Sequence, residues 1–316
     1  MAAPNRTIEG KVPEALPTPL APGALGAQVA APEAAAGGER SRLQLRRLLS
    51  TAGWWVASVA LFAGLWELGW LVGLLDPLLM PPPHIFLRDF TAQARFFDTD
   101  KIGVAAQAPA VAVLTTILAT SLRVLVGLTL AFAASLAVGI LVSYVKLAGR
   151  LMLPTLTLLA PISPVAWLPV AIFVFGIGNG PAVFMVFIGV FFIMTMATIT
   201  QIDSVPSTYL DVSRTMGATR GQTLRRVVLP AILPGLFVVL RLNLFAAWIV
   251  VLIAEAVGVG SGLGQVVILA RNTFNSSLVF FTMTLIGITG FLFDSALRLV
   301  QRKLLWWEPT GGRLSA

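Results

Sequence analysis

The sequence predicts an all-α integral membrane protein with about six transmembrane helices, and three observations carry that prediction. Hydrophobic residues fill 57% of the 316 positions and charged residues only 11%, about half the charged share of an ordinary soluble domain. Apolar runs close to or above the roughly 20 residues needed to cross a bilayer recur along the chain. Lys and Arg gather in alternate connections between those runs. No soluble fold of this length buries so much apolar surface, so lipid must cover part of it.

Taken in order, residues 1–48 form a separate region. Val12 to Gly38 is mostly Ala, Pro, Gly and Glu without an aromatic residue, a composition that builds no core and predicts a disordered tail. Arg40, Arg42, Arg46 and Arg47 follow. The apolar run after them is longer than a signal-peptide core and holds four tryptophans, which favours a retained first helix over an export signal. The apolar region is 49–307, with helices predicted near 52–75, 122–144, 151–175, 181–202, 232–253 and 278–297. A short tail, 308–316, ends the chain. The runs lack the two-residue alternation of a membrane barrel.

The segment from Ile102 to Ser121 is nearly uncharged and reads either as a further span or as an outer-side extension of the second helix. The second reading is preferred, because a seventh span would put the later charge-rich loops on the wrong side. With both termini placed inside, sixteen Lys and Arg fall on the cytoplasmic side and four on the outer side, while Arg123 and Arg241 lie within spans. The net charge of +8 then belongs largely to the leaflet facing the cytoplasm and its anionic lipids, not to a nucleic acid. The chain has no cysteine, which removes disulfides and thiolate metal sites. Its one histidine, His84, follows Pro81-Pro82-Pro83 and reads as a loop residue without a metal.

The connection 205–230 is the most informative stretch. Pro206 in a first turn, with Ser207 or Thr208 as the cap, starts a short helix, predicted over about 207–216, which Gly217 ends in a left-handed conformation. A second amphipathic piece, 220–228, leads to Leu229-Pro230 and the fifth span. The result is a helix–turn–helix on the cytoplasmic face. Taken alone it is either a basic loop held by lipid headgroups or a docking surface for another protein.

Its residue pattern resembles the cytoplasmic loop motif of bacterial ABC-importer permeases. The acidic-small-small triplet corresponds to Asp211-Val212-Ser213, the invariant-type glycine to Gly217 with Ala218 behind it, and the apolar ending to Val227-Val228-Leu229-Pro230. Asp for Glu and Val-Ser for Ala-Ala are departures. Pro161-Ile-Ser163-Pro164-Val-Ala-Trp167-Leu-Pro169 with Phe175-Gly-Ile-Gly178, and Glu255-Ala-Val-Gly258-Val-Gly-Ser261-Gly262-Leu-Gly264, are similar to segments of permeases in the sulfonate, nitrate, taurine and bicarbonate group. The resemblance spans roughly 50–307.

The resemblance implies a type I importer permease in the bacterial inner membrane. It implies pairing with a second copy of the chain, two cytoplasmic ATPase subunits below and a periplasmic or lipid-anchored solute-binding protein above. It assigns the ATPase-coupling surface to Tyr209, Asp211, Arg214, Met216, Gly217 and Ala218. The chain has no phosphate-binding G-x-x-x-x-G-K-[ST] run, so it is expected to catalyse nothing and to bind no cofactor, with ATP and magnesium held by the partner. Substrate is expected to be a small oxyanion.

For the translocation path and gate the candidates are Pro161, Ser163, Pro164, Arg241, Asn243 and Glu255. Intramembrane polar groups usually face a cavity or a partner. Arg241, near the bilayer middle, reads either as an anion contact or as half of an ion pair; Glu67 is the expected partner of Arg241 or of Arg123. Asp294 and Arg298 read as a helix-surface pair. Glu255 reads as part of an outer gate or as a solvated loop acid. Trp54, Trp55, Trp306 and Trp307 read as interfacial anchors. The competing function is a secondary transporter driven by an ion gradient, for which Glu67 is the one central acid; a membrane scaffold or sensor is a third.

Overall fold

Where prolines and glycines interrupt the apolar runs, the helices begin, end and bend. The computed structural model describes residues 53–97 and 108–307. The predicted tails, the arginine cluster at 40–47 and residues 102–107 of the ambiguous segment lie outside the described residues. The chain divides into two units, Met1–Leu65 and Trp66–Ala316. Of the first, only 53–65 is described, the start of helix α1 (Gly53–Leu71).

In the second unit the order is α2 (Pro83–Arg88), α3 (Phe90–Ala94), α4 (Pro109–Tyr144), α5 (Lys146–Leu159), α6 (Leu168–Phe175), α7 (Asn179–Asp203), α8 (Ser207–Thr215), α9 (Arg220–Thr223), α10 (Leu229–Ala254), α11 (Leu263–Asn272) and α12 (Ser276–Leu304). Among the described residues there is no strand. Five helical stretches are long and apolar enough to cross a membrane, and six if a bent pair counts as one span.

The core is built by α4, α7 and α10. From α7 it takes Met185, Val186, Val190 and Met194, from α10 Leu236, Leu244 and Val251, and from α4 Val124, Leu128 and Ala131. Gly127, Ala131, Ser135 and Gly139 repeat every four residues and are all buried, so they form one small-residue stripe down α4. A methyl group on Gly127 would collide with Val186, and one on Gly139 with Thr198. In lipid, where apolar contact with tails competes with helix association, such close backbone approach supplies the packing.

Helix α4 has 36 residues, about 54 Å at 1.5 Å per residue, well beyond the roughly 30 Å of hydrocarbon. Residues 109–121 are thus an extension of the second helix and not a separate span. The third predicted span, 151–175, differs more from expectation. It is two helices bent by 99°, not one kinked rod. Pro164 forces Ser163 into extended geometry, at φ −55° and ψ 133°, and Pro161 lies in the same break. Pro169, by contrast, occupies the first turn of α6, where the missing N–H costs nothing.

His84 is also corrected. It is the second residue of α2 and not a loop residue, because Pro83 starts a helix there. The Glu67 carboxylate accepts both its backbone N–H at 3.1 Å and its Nδ1 at 2.9 Å. Glu67 therefore acts as a cap for α2, which removes it as the expected partner of either arginine.

Candidate functional site

The connection between α7 and α10 forms two short helices locked to each other. Pro206 is extended and opens α8. At the far end Gly217 takes φ 74°, which lets its N–H bond Arg214 O and the Ala218 N–H bond Ser213 O, a terminating pair that needs the left-handed residue. Thr219 then caps α9 in a reciprocal box with Gln222. Ser213, buried between the two, contacts Thr223 Oγ1 at 3.2 Å. Helix α9 runs through a π-turn, Leu224–Val228, directly into α10. Pro230 sits in the first turn of α10, where it is tolerated.

Tyr209, Val212 and Met216 are exposed along one face of α8, Met216 at 82%. They border a cavity of about 870 Å³ with Gly217, Ala218, Gln222 and Arg226. Of the predicted coupling residues, Tyr209, Met216, Gly217 and Ala218 thus share one groove. Asp211 and Arg214 do not line it; they pair with each other at 3.1 Å on the exposed surface. Sequence reading missed Val212, Gln222 and Arg226, although the spacing 209-212-216 marks one helix face. Trp307 lines a second cavity at the base of the same loop with Pro206, Tyr209 and Pro230.

At the opposite end of α10 a polar cluster gathers around two buried charged residues, Arg123 and Glu255. Arg123 of α4 donates from Nε to Asn179 Oδ1 (2.8 Å), from Nη1 to Glu255 Oε1 (2.6 Å) and Ser261 O (3.1 Å), and from Nη2 to Ser261 Oγ (2.8 Å). The other Glu255 oxygen accepts the Gly264 N–H, and Thr120 Oγ1 accepts the Leu263 N–H. Glu255 has no exposed surface, which overturns its reading as a solvated loop acid. Gly262 is required here twice over: its φ is +106°, and a side chain would fall on the Glu255 carboxyl. Two sequence segments singled out separately, 175–178 with Asn179 and 255–264, therefore meet on Arg123.

Arg241 lies elsewhere. Its Nε and Nη2 hold the two oxygens of Asp294 on α12, the second at 3.2 Å. Arg298 Nη2 shares that carboxylate at 2.8 Å. Asp294 and Arg298 are therefore not a plain surface pair: Asp294 is buried and bridges two helices. Glu67, the expected partner of one or the other arginine, pairs with neither. Asn243 is buried and donates to Val239 O of its own helix, two residues and so roughly 200° of helix turn away from Arg241. Ser163 is exposed in the α5–α6 break, with Pro164 packed near Gly189 of α7.

Residues 124–306 match the family model described as the binding-protein-dependent transport system inner membrane component. A putative ABC transporter permease protein of Methanocaldococcus jannaschii is 33% identical over 187 residues, 59% of this chain and 70% of that protein. The taurine transport system permease protein TauC of Escherichia coli is 29% identical over 258 residues, 79% of this chain and 89% of its own. Among solved structures, a chain of the inward-facing MetNI methionine ABC transporter superposes with a TM-score of 0.54 at 23% identity. That match covers 62% of this chain and 98% of that one, and it speaks for the fold. A multi-pass architecture, a grooved helix–turn–helix between two spans and a family match over more than half its length together show that this chain belongs to the binding-protein-dependent transport system inner membrane components, the permease subunits of ABC importers.

Proposed function

We propose that two copies of this chain form the transmembrane path of an ATP-driven importer for a small oxyanion of the sulfonate, nitrate, taurine or bicarbonate class. In this reading two separate cytoplasmic ATPase subunits dock on the 205–230 loops and bind ATP and magnesium, while this chain holds no cofactor. A solute-binding protein delivers substrate on the other face, lipid surrounds the spans, and both termini are cytoplasmic. No nucleic acid takes part.

One observation carries the reading. Three apolar side chains, Tyr209, Val212 and Met216, stand exposed around a groove in a rigid loop between two spans. Apolar groups displayed on a preorganised helix–turn–helix suit insertion into a partner protein, since their burial supplies affinity without an ordering cost. The name of the taurine permease relative supports the substrate class. Pro161, Ser163 and Pro164, in the α5–α6 break, are proposed to line the path, with Glu255 behind the outer gate.

Purification of the complete transport system tests the coupling claim. Co-purification with a Walker-motif ATPase, lost in Met216→Asp and in Gly217→Val, is expected. Uptake that survives ATP depletion while a proton gradient is held would favour a secondary transporter instead. The acid that alternative relied on, Glu67, is bound to His84 at the start of α2.

A further inference from the structure

We infer that Arg241 is the point at which the transported anion meets the chain in mid-membrane, with Asp294 serving as an exchangeable internal counter-ion that Arg298 receives as the anion arrives. The inference rests on the reading of the cargo as a small oxyanion.

The contrast between the two intramembrane arginines motivates it. Arg123 is closed: its side chain is 7% exposed and its donors engage Asn179, Glu255 and Ser261. Arg241 is open: its side chain is 39% exposed, and among the described residues it donates only to Asp294. The Nη1 amino group is left with no bond among those residues.

Depth sharpens the point. Arg241 lies twelve residues beyond Leu229, roughly 18 Å along α10 and near its middle. It stands beside an exposed apolar stripe, Val238, Leu242, Phe245 and Ile249. A guanidinium presenting that much surface to hydrocarbon is costly, so such groups face a water-filled cavity or a partner. On this proposal the Arg241 side of α10 is the side turned to the aqueous route.

Charge gives the ligand its sign. Arg241, Arg298 and Asp294 carry one net positive charge between them. The Asp294 carboxylate already stands between two guanidinia: its Oδ2 lies 3.2 Å from Arg241 Nη2 and 2.8 Å from Arg298 Nη2. Releasing Arg241 requires only that Asp294 settle on Arg298, one helical turn away on its own helix. Sulfonate, nitrate and bicarbonate present two oxygens much as a carboxylate does, and the planar guanidinium fork accepts either. Competition from Asp294 keeps the contact weak enough for the anion to leave, which conduction demands.

The test is uptake by cells carrying the complete transport system, with nitrate, methanesulfonate, taurine and bicarbonate as probes, with and without ATP depletion. The double variant Arg241→Gln/Asp294→Asn removes both charges of that pair and leaves only Arg298, whose side chain is 34% exposed, without its carboxylate. It should assemble and yet lose anion uptake by about tenfold or more, the worth of a charge-assisted hydrogen bond. Asp294→Asn alone should lower KM and maximal rate together, because the anion then binds without competition and leaves slowly. Arg241→Lys, which keeps the ion pair but not the fork, should assemble and still lose uptake, which keeps the proposal testable if the double variant misfolds.

Wild-type uptake in the double variant or in Arg241→Lys overturns the proposal and marks the pair as structural; so does a wild-type system that takes up none of the four anions. If uptake is indifferent to ATP depletion but depends on Arg241, the ATP-driven reading fails and this one stands. If uptake needs ATP but ignores Arg241, the reverse holds.

Discussion

Arg123 and Glu255 lie 132 residues apart and form a fully buried ion pair at 2.6 Å. It joins the second span to the π-turn that ends the fifth, and the loop 260–264 wraps around it. The pair is therefore the tie that holds the end of the fifth span, α11 and the α6–α7 turn in one arrangement.

Removing one partner should be far worse than removing both. Glu255→Ala leaves the Arg123 guanidinium buried without its counter-charge, with an expected loss of about 3–5 kcal/mol. Arg123→Met/Glu255→Met should recover a large part of that loss, because no buried charge is left unpaired. Unfolding titrations of the purified chain in mixed micelles measure both; a double variant as unstable as the single would contradict the role assigned to the pair.

Gly262→Ala should weaken the same end of the molecule by about 1–3 kcal/mol, since the backbone is in a region that side chains rarely adopt and the methyl would press on Glu255. Gly287→Ala makes a control, because a methyl there meets nothing. The same titrations read the difference, and equal stability of the two variants would count against the close packing described.

Along the α4–α7 seam, Gly139→Leu should cost about 1–3 kcal/mol or more by overpacking against Thr198. The effect should show as a lower melting temperature of the detergent-solubilised chain, with no comparable effect from Leu141→Ala on the exposed side.

Within the loop, Thr219→Ala should cost about 1 kcal/mol by deleting the α9 cap, and Ser213→Ala should free α8 from α9 by removing the Thr223 contact. Hydrogen exchange at the amides of 207–223 should rise in both. Asp211→Ala should change it little, since exposed pairs such as Asp211–Arg214 contribute about 0–1 kcal/mol.

The sequence carried the spans legibly because each is set by local composition, and it carried the turn at Gly217 because a helix stop is a local event. The small-residue stripe from Gly127 to Gly139 was equally local and went unread. What stayed hidden was pairing at a distance. Arg123, Arg241, Glu67 and Asp294 were all visible as costly polar groups in apolar runs, but periodicity fixes the face of a helix and not its neighbour. The expected pairing of Glu67 with an arginine therefore failed: Glu67 went to His84 and Glu255 to Arg123, while Asp294, paired with Arg298 as expected, also took Arg241. Pro161, Pro164 and Pro169 of the third span announced a disturbance. Its size, 99°, depended on Pro169 falling harmlessly in a first turn while Pro164 forced Ser163 out of the helix.

Because the chain contains no cysteine, a single Met216→Cys substitution places one unique thiol beside the 870 Å³ groove. Crosslinking from that thiol in membranes of cells carrying the whole system tests the coupling claim most directly. The account predicts a crosslink to an ATP-hydrolysing subunit whose yield changes on addition of ATP, together with uptake that stops on ATP depletion. No crosslink to such a subunit, with uptake that persists after ATP is exhausted, would contradict it.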